Sequence, residues 1–118
     1  MAVHNQLGKK GEQMAEEYLL QNGYVVLHRN WRHSHYEIDL IAVKNERLHF
    51  VEVKLRSSKI FGMPEQNVKR KKFRSLLRAA DEFLFQHKQY RHVQYDILSI
   101  NLSANAEPEI FLIEDVYL

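Results

Sequence analysis

The sequence of 118 residues contains no cysteine, so disulfides, zinc–thiolate sites and thiol nucleophiles are excluded. It has no apolar run that approaches the roughly 20 residues of a membrane-spanning helix. Its first residues lack the basic and apolar segments of a signal peptide. Its four glycines form no Gly-rich phosphate-binding loop. We therefore expect a cytoplasmic protein with no membrane contact.

The composition is ordinary for a globular protein, with 45% hydrophobic and 27% charged residues. At this length we expect one domain, residues 1–118, with its own hydrophobic core. The net charge is only +2, but the charges are unevenly distributed, because residues 54–91 contain eleven basic and three acidic side chains. This asymmetry indicates a polyanionic partner, with nucleic acid as the first candidate.

Residues 36–56 predict a β-hairpin. Two stretches rich in apolar and β-branched residues, 36–43 and 48–56, carry charged residues at alternate positions. The polar segment 44–47 between them contains asparagine, which is well suited to the positive φ of a tight turn. A turn centred on the middle two residues of that segment fixes how the two strands pair.

This register places Asp39 opposite Glu52. Because side chains alternate along a strand, Ile38 and Leu40 are predicted to share the face that Asp39 does not occupy. Lys54 is predicted to share the face of Glu52. The hairpin therefore brings two carboxylates and one ammonium group together.

Two carboxylates directly across an antiparallel pair repel each other and destabilise the sheet. A divalent cation such as Mg²⁺ would replace this repulsion with coordination. Lys54 would then place its ammonium beside the cation, where it could stabilise charge on a phosphate. The alternative is a solvent-exposed strand face with alternating charges, which a Glu-x-Lys motif alone does not exclude.

The remaining segments predict two helices and three further strands around the hairpin. The helices are expected at residues 4–22 and 65–87, and the strands at residues 24–31, 93–101 and 109–116. The order is helix, three strands, helix, two strands. We therefore expect an α/β fold with a mixed five-stranded sheet and two main helices.

Two further groups of residues suggest function, each beside a structural alternative. Glu12 borders the buried stripe of the first helix and could reach the sheet, or it could lie in solvent. The second helix begins with cations that oppose its macrodipole, so an anionic ligand would stabilise it, unless the face is merely solvated. Those cations are Lys69, Arg70, Lys71, Lys72 and Arg74.

Two patterns stay undecided at this point. His33, His35, Glu37 and Asp39 alternate along the chain and could hold zinc, or they could be an exposed polar strand start. Asp96 interrupts an apolar run, and it could be a cap, the partner of an arginine, or an accessory site residue.

The helix glutamate, the strand aspartate, the Glu-x-Lys thirteen residues later and the basic helix resemble the core of the PD-(D/E)xK nuclease superfamily. Nearly the whole chain resembles the small bacterial YraN family, which is itself similar to archaeal Holliday-junction resolvases. The stretches that carry this resemblance are residues 7–12, 23–31, 37–42, 50–56 and 61–64, together with Lys72, Ala79, Ala80 and residues 95–97.

The resemblance implies a restriction-endonuclease-like core and a metal-dependent endonuclease that acts on structured or branched DNA as a homodimer. By position, Asp39, Glu52 and the Val53 carbonyl would bind Mg²⁺ or Mn²⁺. Glu12 would be an outer or second-metal carboxylate, and Lys54 the catalytic lysine. Backbone phosphates would contact Arg56, Lys59 and the cations of the second helix.

The chain departs from the family pattern at two positions. Tyr36 stands where the family commonly has glycine, and Gln94 stands where an arginine often precedes the aromatic-Asp pair, so an arginine contact to Asp96 is absent. The main alternative function is a non-catalytic nucleic-acid-binding module on the same fold. An RNA-processing nuclease and a protein-interaction scaffold are further alternatives.

Overall fold

The computed structural model describes residues 2–57, 70–103 and 106–116, with side chains described from residue 9 to 56, 74 to 103 and 106 to 116. Seven elements follow one another in the predicted order. They are α1 (Ala2–Gln21), β1 (Val25–His33), β2 (Tyr36–Lys44), β3 (Arg47–Ser57), α2 (Arg70–Gln86), β4 (Val93–Ser103) and β5 (Ala106–Ile113).

The five strands form one mixed sheet in the order β1-β2-β3-β4-β5, which confirms the predicted architecture. The β3–β4 pair is parallel, and the other three pairs are antiparallel. A parallel pair needs a crossover connection, and α2 lies in the segment that joins β3 to β4. β1 and β5 form the two edges of the sheet.

The two helices cover opposite faces of the sheet. The evidence is that the buried apolar residues form two clusters, one around each helix. Ala15 and Leu19 of α1 pack with residues that include Leu40, Val51 and Leu98. The second cluster surrounds Phe83 of α2. Its other buried members are Ile38, Ile41, Leu48, Phe50, Leu76, Ala79, Ala80 and Ile97. The buried stripe predicted for the first helix is confirmed where its side chains are described.

The predicted hairpin is confirmed in its turn and in most of its register. Asn45 and Glu46 both have positive φ, 51° and 64°, as a two-residue type I′ turn requires. The pairs Val43–Leu48 and Leu40–Val51 follow the predicted register.

The end of α1 is also where the sequence predicted it. Gly23 has a φ of 88°, its N–H donates to the carbonyl of Leu20, and the Tyr24 N–H donates to the carbonyl of Leu19 at 3.0 Å. These bonds satisfy carbonyls that the last helical turn leaves open, and glycine takes the left-handed position at least cost. The chain therefore reverses into β1 directly after α1.

Three predicted boundaries were wrong or lie partly outside the description. β1 continues through His33, because its pairing with β2 runs to the tight turn at Ser34 and His35. β5 begins at Ala106 and ends at Ile113, since Ser103 already pairs with Ala106. Pro108 is tolerated there because β5 is an edge strand. The part of the second helix predicted before Arg70 lies outside the described residues.

Within the described part of the chain, no helix is both long and apolar enough to cross a membrane.

Candidate active site

The candidate active site lies where β2 and β3 stop pairing. Among the described residues, the ladder between these strands ends at Leu40–Val51. Beyond it, β2 continues to pair with β1, and β3 continues to pair with β4 through Ser57. We call the gap between residues 36–39 and residues 52–57 the fork.

Asp39 does not pair with Glu52 across the ladder, so that prediction was wrong. Instead, its Oδ2 accepts a hydrogen bond from the backbone N–H of Val53 at 2.8 Å. The side chain thus takes the place of a backbone acceptor that β2 would have supplied. Because the Val53 nitrogen belongs to the peptide bond that follows Glu52, the Asp39 carboxylate lies beside the backbone of Glu52.

The same bond decides where the Val53 carbonyl points. In a strand, the N–H and C=O of one residue point to the same neighbour. Since the Val53 N–H points to Asp39, its carbonyl also points into the fork and away from β4. The position implied by the resemblance for a carbonyl ligand therefore agrees with the backbone geometry.

β2 departs from regular alternation at Asp39, contrary to the sequence prediction. Ile38 packs in the cluster on the α2 side, whereas Leu40 packs on the α1 side. The neighbouring strand is irregular at the same level, because Asn30 has a φ of 51° between the pairs Arg29–Leu40 and Trp31–Ile38. This local distortion lets Asp39 turn toward the fork.

Glu52 and Lys54 occupy alternate positions of β3, as predicted. Phe50 packs on the α2 side and Val53 on the α1 side, so alternation directs both Glu52 and Lys54 to the α2 side. Glu52 is 6% exposed and Lys54 is half-buried. A carboxylate in so little contact with water responds strongly to nearby charge.

On the α1 side, a pocket of about 150 Å³ contains both Glu12 and Asp39. Asn30 Nδ2 donates to Glu12 Oε1 at 3.4 Å, which holds the glutamate at the pocket wall. At the other side of the pocket, Arg29 forms a bidentate ion pair with Glu16. The hydrogen bond from Arg29 lowers the pKa of the Glu16 carboxyl.

The oxygen atoms around the fork suit a hard divalent cation. Among the described residues, no three His, Asp or Glu side chains come together as a metal site, so Glu12 does not complete one with Asp39 and Glu52. Mg²⁺ does not require such a cage, because it binds through one or two carboxylates together with water and substrate phosphate. Asp39, Glu52 and the Val53 carbonyl are oxygen donors of that kind, although Asp39 lines the pocket on the α1 side and alternation directs Glu52 to the α2 side.

The zinc interpretation was wrong. His33 lies 3.7 Å from Glu82, and Glu37 forms an ion pair with Arg32 at 2.8 Å. His35 contacts the ring of Tyr36. The tight turn at Ser34 and His35 divides these residues between two strands, and the described residues contain no metal cluster that includes them.

Only part of the predicted phosphate-binding set lies among the described residues. Arg56 is half-buried on β3, and Arg74 is exposed on α2. The backbone of Arg70, Lys71 and Lys72 lies in the first described turn of α2. Lys59 and Lys69 lie outside the described residues.

Asp96 belongs to a buried polar network that the sequence did not predict. Its Oδ2 lies 2.7 Å from His49 Nδ1, and its Oδ1 accepts hydrogen bonds from Gln94 Nε2 and the Asp115 N–H, both at 2.9 Å. Gln94 therefore supplies a contact to Asp96 where an arginine was expected. The network joins β3, β4 and the segment that follows β5. Its member on β3, His49, precedes Glu52 by three residues.

Replacement of Asp39 should separate its structural role from its charge. We expect Asp39→Ala to lower the free energy of unfolding by about 1.5–3 kcal/mol, because the Val53 N–H loses a charged acceptor. Asp39→Asn should cost less than half as much, because the amide oxygen can accept the same hydrogen bond. Urea unfolding of the three proteins measures both values, and equal losses for the two variants would contradict this role.

Tyr24 gives a prediction at alkaline pH. Its burial, together with the negative charges of Glu114 and Asp96, raises the pKa of Tyr24 to about 12 from its usual value near 10. As the pH rises, the unfolded chain therefore loses the hydroxyl proton of Tyr24 at a lower pH than the folded protein does. The stability that the folded protein gains from protonated Tyr24 is complete below pH 10 and is lost as the pH rises toward 12.

Urea unfolding of wild type and Tyr24→Phe at pH 9.5 and 11.5 measures this contribution. The phenylalanine variant keeps the ring that contacts His49, so other alkaline effects cancel in the comparison. We expect wild type to lose about 2 kcal/mol more than the variant over this range. An equal loss in both proteins would show that Tyr24 titrates normally.

Comparison with known proteins assigns the chain that carries this site to a family. A model of the uncharacterised protein family UPF0102 matches residues 11–100, a span that includes Glu12, Asp39, Glu52 and Lys54. The UPF0102 protein of Bacteroides thetaiotaomicron is 43% identical over 100 residues, which cover 85% of this chain and 83% of the relative. That of Flavobacterium johnsoniae is 41% identical over 105 residues, with 86% and 85% covered.

The UPF0102 protein of Christiangramia forsetii is 38% identical over 117 residues, which cover 99% of this chain and 98% of the relative. The family model covers the second half of α1, strands β1 to β3, α2 and most of β4, which include the fork. The chain therefore belongs to the uncharacterised protein family UPF0102, the YraN nuclease-like family that its motifs indicated.

Proposed function

We propose that the protein is a Mg²⁺-dependent endonuclease that hydrolyses phosphodiester bonds in structured DNA, with branched DNA as its preferred substrate. The observation that carries the proposal is the fork. It brings the Asp39 carboxylate beside the backbone of Glu52, directs the Val53 carbonyl to the same place, and is followed by Lys54. Phosphodiester hydrolysis uses such a combination of oxygen ligands and a fixed ammonium group. A cation held by the oxygen ligands and the ammonium of Lys54 can both stabilise negative charge on the phosphate.

Each residue has a separate part in the proposed reaction. A water molecule gives up a proton to solvent as its oxygen forms a bond to phosphorus, and the bond from phosphorus to one sugar oxygen breaks, with that oxygen taking up a proton from solvent. Asp39 and Glu52 would hold the cation, either Mg²⁺ or Mn²⁺ in its place. When bound, the cation supplies Lewis-acid chemistry to the phosphate and to water. Lys54 places an ammonium near the charge that develops on the phosphate oxygens.

Substrate binding would rest mainly on charge. Arg56 lies on β3, which leads into the crossover, and Arg74 lies on α2 within it, and the sequence between them is basic. Contacts to phosphates supply affinity that falls with salt and carries little sequence information. This agrees with an enzyme that recognises DNA shape. The homodimer implied by the resemblance stays a prediction.

The test is cleavage of labelled four-way junction, flap, duplex and single-stranded DNA, and of matching RNA, with Mg²⁺, Mn²⁺ or EDTA. We expect metal-dependent cleavage, with the junction or flap cut fastest. Asp39→Asn, Glu52→Gln and Lys54→Met should each reduce the rate by about 100-fold or more.

The matched control is Glu17→Gln, which removes one carboxylate from an exposed position of α1 outside the site. It should cleave at the wild-type rate. Unchanged cleavage and metal binding in Asp39→Asn and Glu52→Gln would overturn the proposal. Salt-sensitive binding without cleavage in any metal would instead favour the non-catalytic module, and faster cleavage of RNA would favour the RNA-processing nuclease.

A further inference from the structure

A second pocket lies on the α2 side of the sheet, where the β1–β2 turn meets α2. Its volume is about 410 Å³, and it is shallow and open to solvent. Its lining residues are His33, Tyr36, Arg78, Asp81, Glu82 and Phe85. We call it the aromatic pocket. Tyr36 lies at the outer end of the fork, but none of the pocket residues belongs to the proposed metal-binding and catalytic set of Asp39, Glu52, Val53 and Lys54.

The aromatic pocket presents flat rings to solvent. Phe85 is 68% exposed, although a large apolar side chain is usually buried. The ring of His33 stacks on Trp31 with an interplanar angle of 14°, and Tyr36 packs against His35 with ring centroids 4.2 Å apart. Tyr36 is half-buried, and the Lys88 ammonium lies 5.0 Å from the centroid of the Phe85 ring. The remaining ring surface is suited to a planar ligand that can stack on it.

Polar groups of both signs surround these rings. Arg78 makes no ion pair within the described residues and is exposed. Asp81 and Glu82 present carboxylates, which can only accept hydrogen bonds. A ligand that matches this wall has an anionic group for the arginine and N–H donors for the carboxylates. A nucleotide has both, because its phosphate is anionic and most bases carry an amino group.

The pocket also lies on a path from the fork. Tyr36 precedes Asp39 by three residues on the same strand, a separation of about 10 Å. On α2, Arg74 and Arg78 are four residues apart and therefore share one face of the helix. That face joins the phosphate-binding residues assigned above to the pocket.

We propose that the aromatic pocket binds one unpaired nucleobase of the nucleic-acid substrate, stacked on Phe85 and Tyr36. Its amino group would donate to Asp81 or Glu82, and its phosphate would contact Arg78. The inference rests on the proposed function, since it assumes a nucleic-acid substrate. It narrows the substrate class to DNA with an unpaired base near the cleavage point. It also gives a role to Tyr36, one of the two positions at which this chain departs from the family pattern.

The carboxylates make the pocket selective. Guanine, adenine and cytosine carry exocyclic amino donors, and guanine presents two adjacent N–H groups on its pairing edge. Thymine has no amino group, and its one N–H on the pairing edge is flanked by two carbonyl oxygens that a carboxylate repels. The pocket should therefore prefer an amino-bearing base to thymine by about 10-fold.

The experiment is a fluorescence titration in EDTA with a single-stranded oligonucleotide that carries one 2-aminopurine flanked by thymines. Stacking in the pocket should quench the probe. Phe85→Leu should weaken binding by about 5- to 100-fold, and it should fold normally because Phe85 is exposed. Tyr36→Leu should do the same from the opposite side of the pocket. Phe111→Leu is the matched control, since Phe111 is an exposed aromatic residue on the far edge strand.

The outcomes separate this inference from the nuclease proposal, because binding in EDTA needs no cleavage. Quenching that is lost in Phe85→Leu and Tyr36→Leu but kept in Phe111→Leu supports the pocket, even if no substrate is cut. Unchanged quenching in both pocket variants, or an equal loss in Phe111→Leu, would overturn it while leaving the nuclease proposal intact. An unlabelled competitor with thymine at the probe position that competes as well as one with guanine would overturn the role of the carboxylates.

Discussion

The candidate active site depends on one hydrogen bond, from the Val53 N–H to the Asp39 carboxylate. A sheet strand that loses its neighbour leaves backbone groups that need other partners. Asp39 supplies that partner at the place where β2 and β3 stop pairing, so the strands can separate without an unsatisfied N–H at Val53. The same contact fixes an acidic side chain beside Glu52. Asp39, which satisfies the backbone N–H of Val53, is thus also the proposed metal ligand.

The surrounding fold holds this separation in place from both faces. On one face, Gly11 lets α1 approach β3 closely, because a Cβ atom there would lie 3.3 Å from Leu55 Cδ2. That approach brings Glu12 to the pocket that contains Asp39. On the other face, Phe83 of α2 contacts the rings of Trp31 and Phe50. The buried His49–Asp96 pair then joins β3 to β4 just before the site.

Local patterns in the sequence predicted the helices, the hairpin turn and the order of elements, because each rests on residues close together in the chain. The fork was not predictable in this way. Its shape depends on a positive φ at Asn30, nine residues before Asp39, and on strand pairs that end at Leu40. The partner of Asp96 was missed for the same reason. His49 lies 47 residues away and meets it only through the parallel β3–β4 register, which no local pattern specifies.

The most direct test of this account is the position of a bound cation. Substoichiometric Mn²⁺ added to ¹⁵N-labelled protein broadens the amide signals nearest to it. The account predicts that the signals of Asp39, Val53 and Lys54 broaden first, and that Glu52→Gln abolishes this effect while Glu17→Gln does not. Broadening centred on the acidic residues of 107–115, or broadening at the fork that persists in Glu52→Gln, would contradict the assignment of the fork as the metal site.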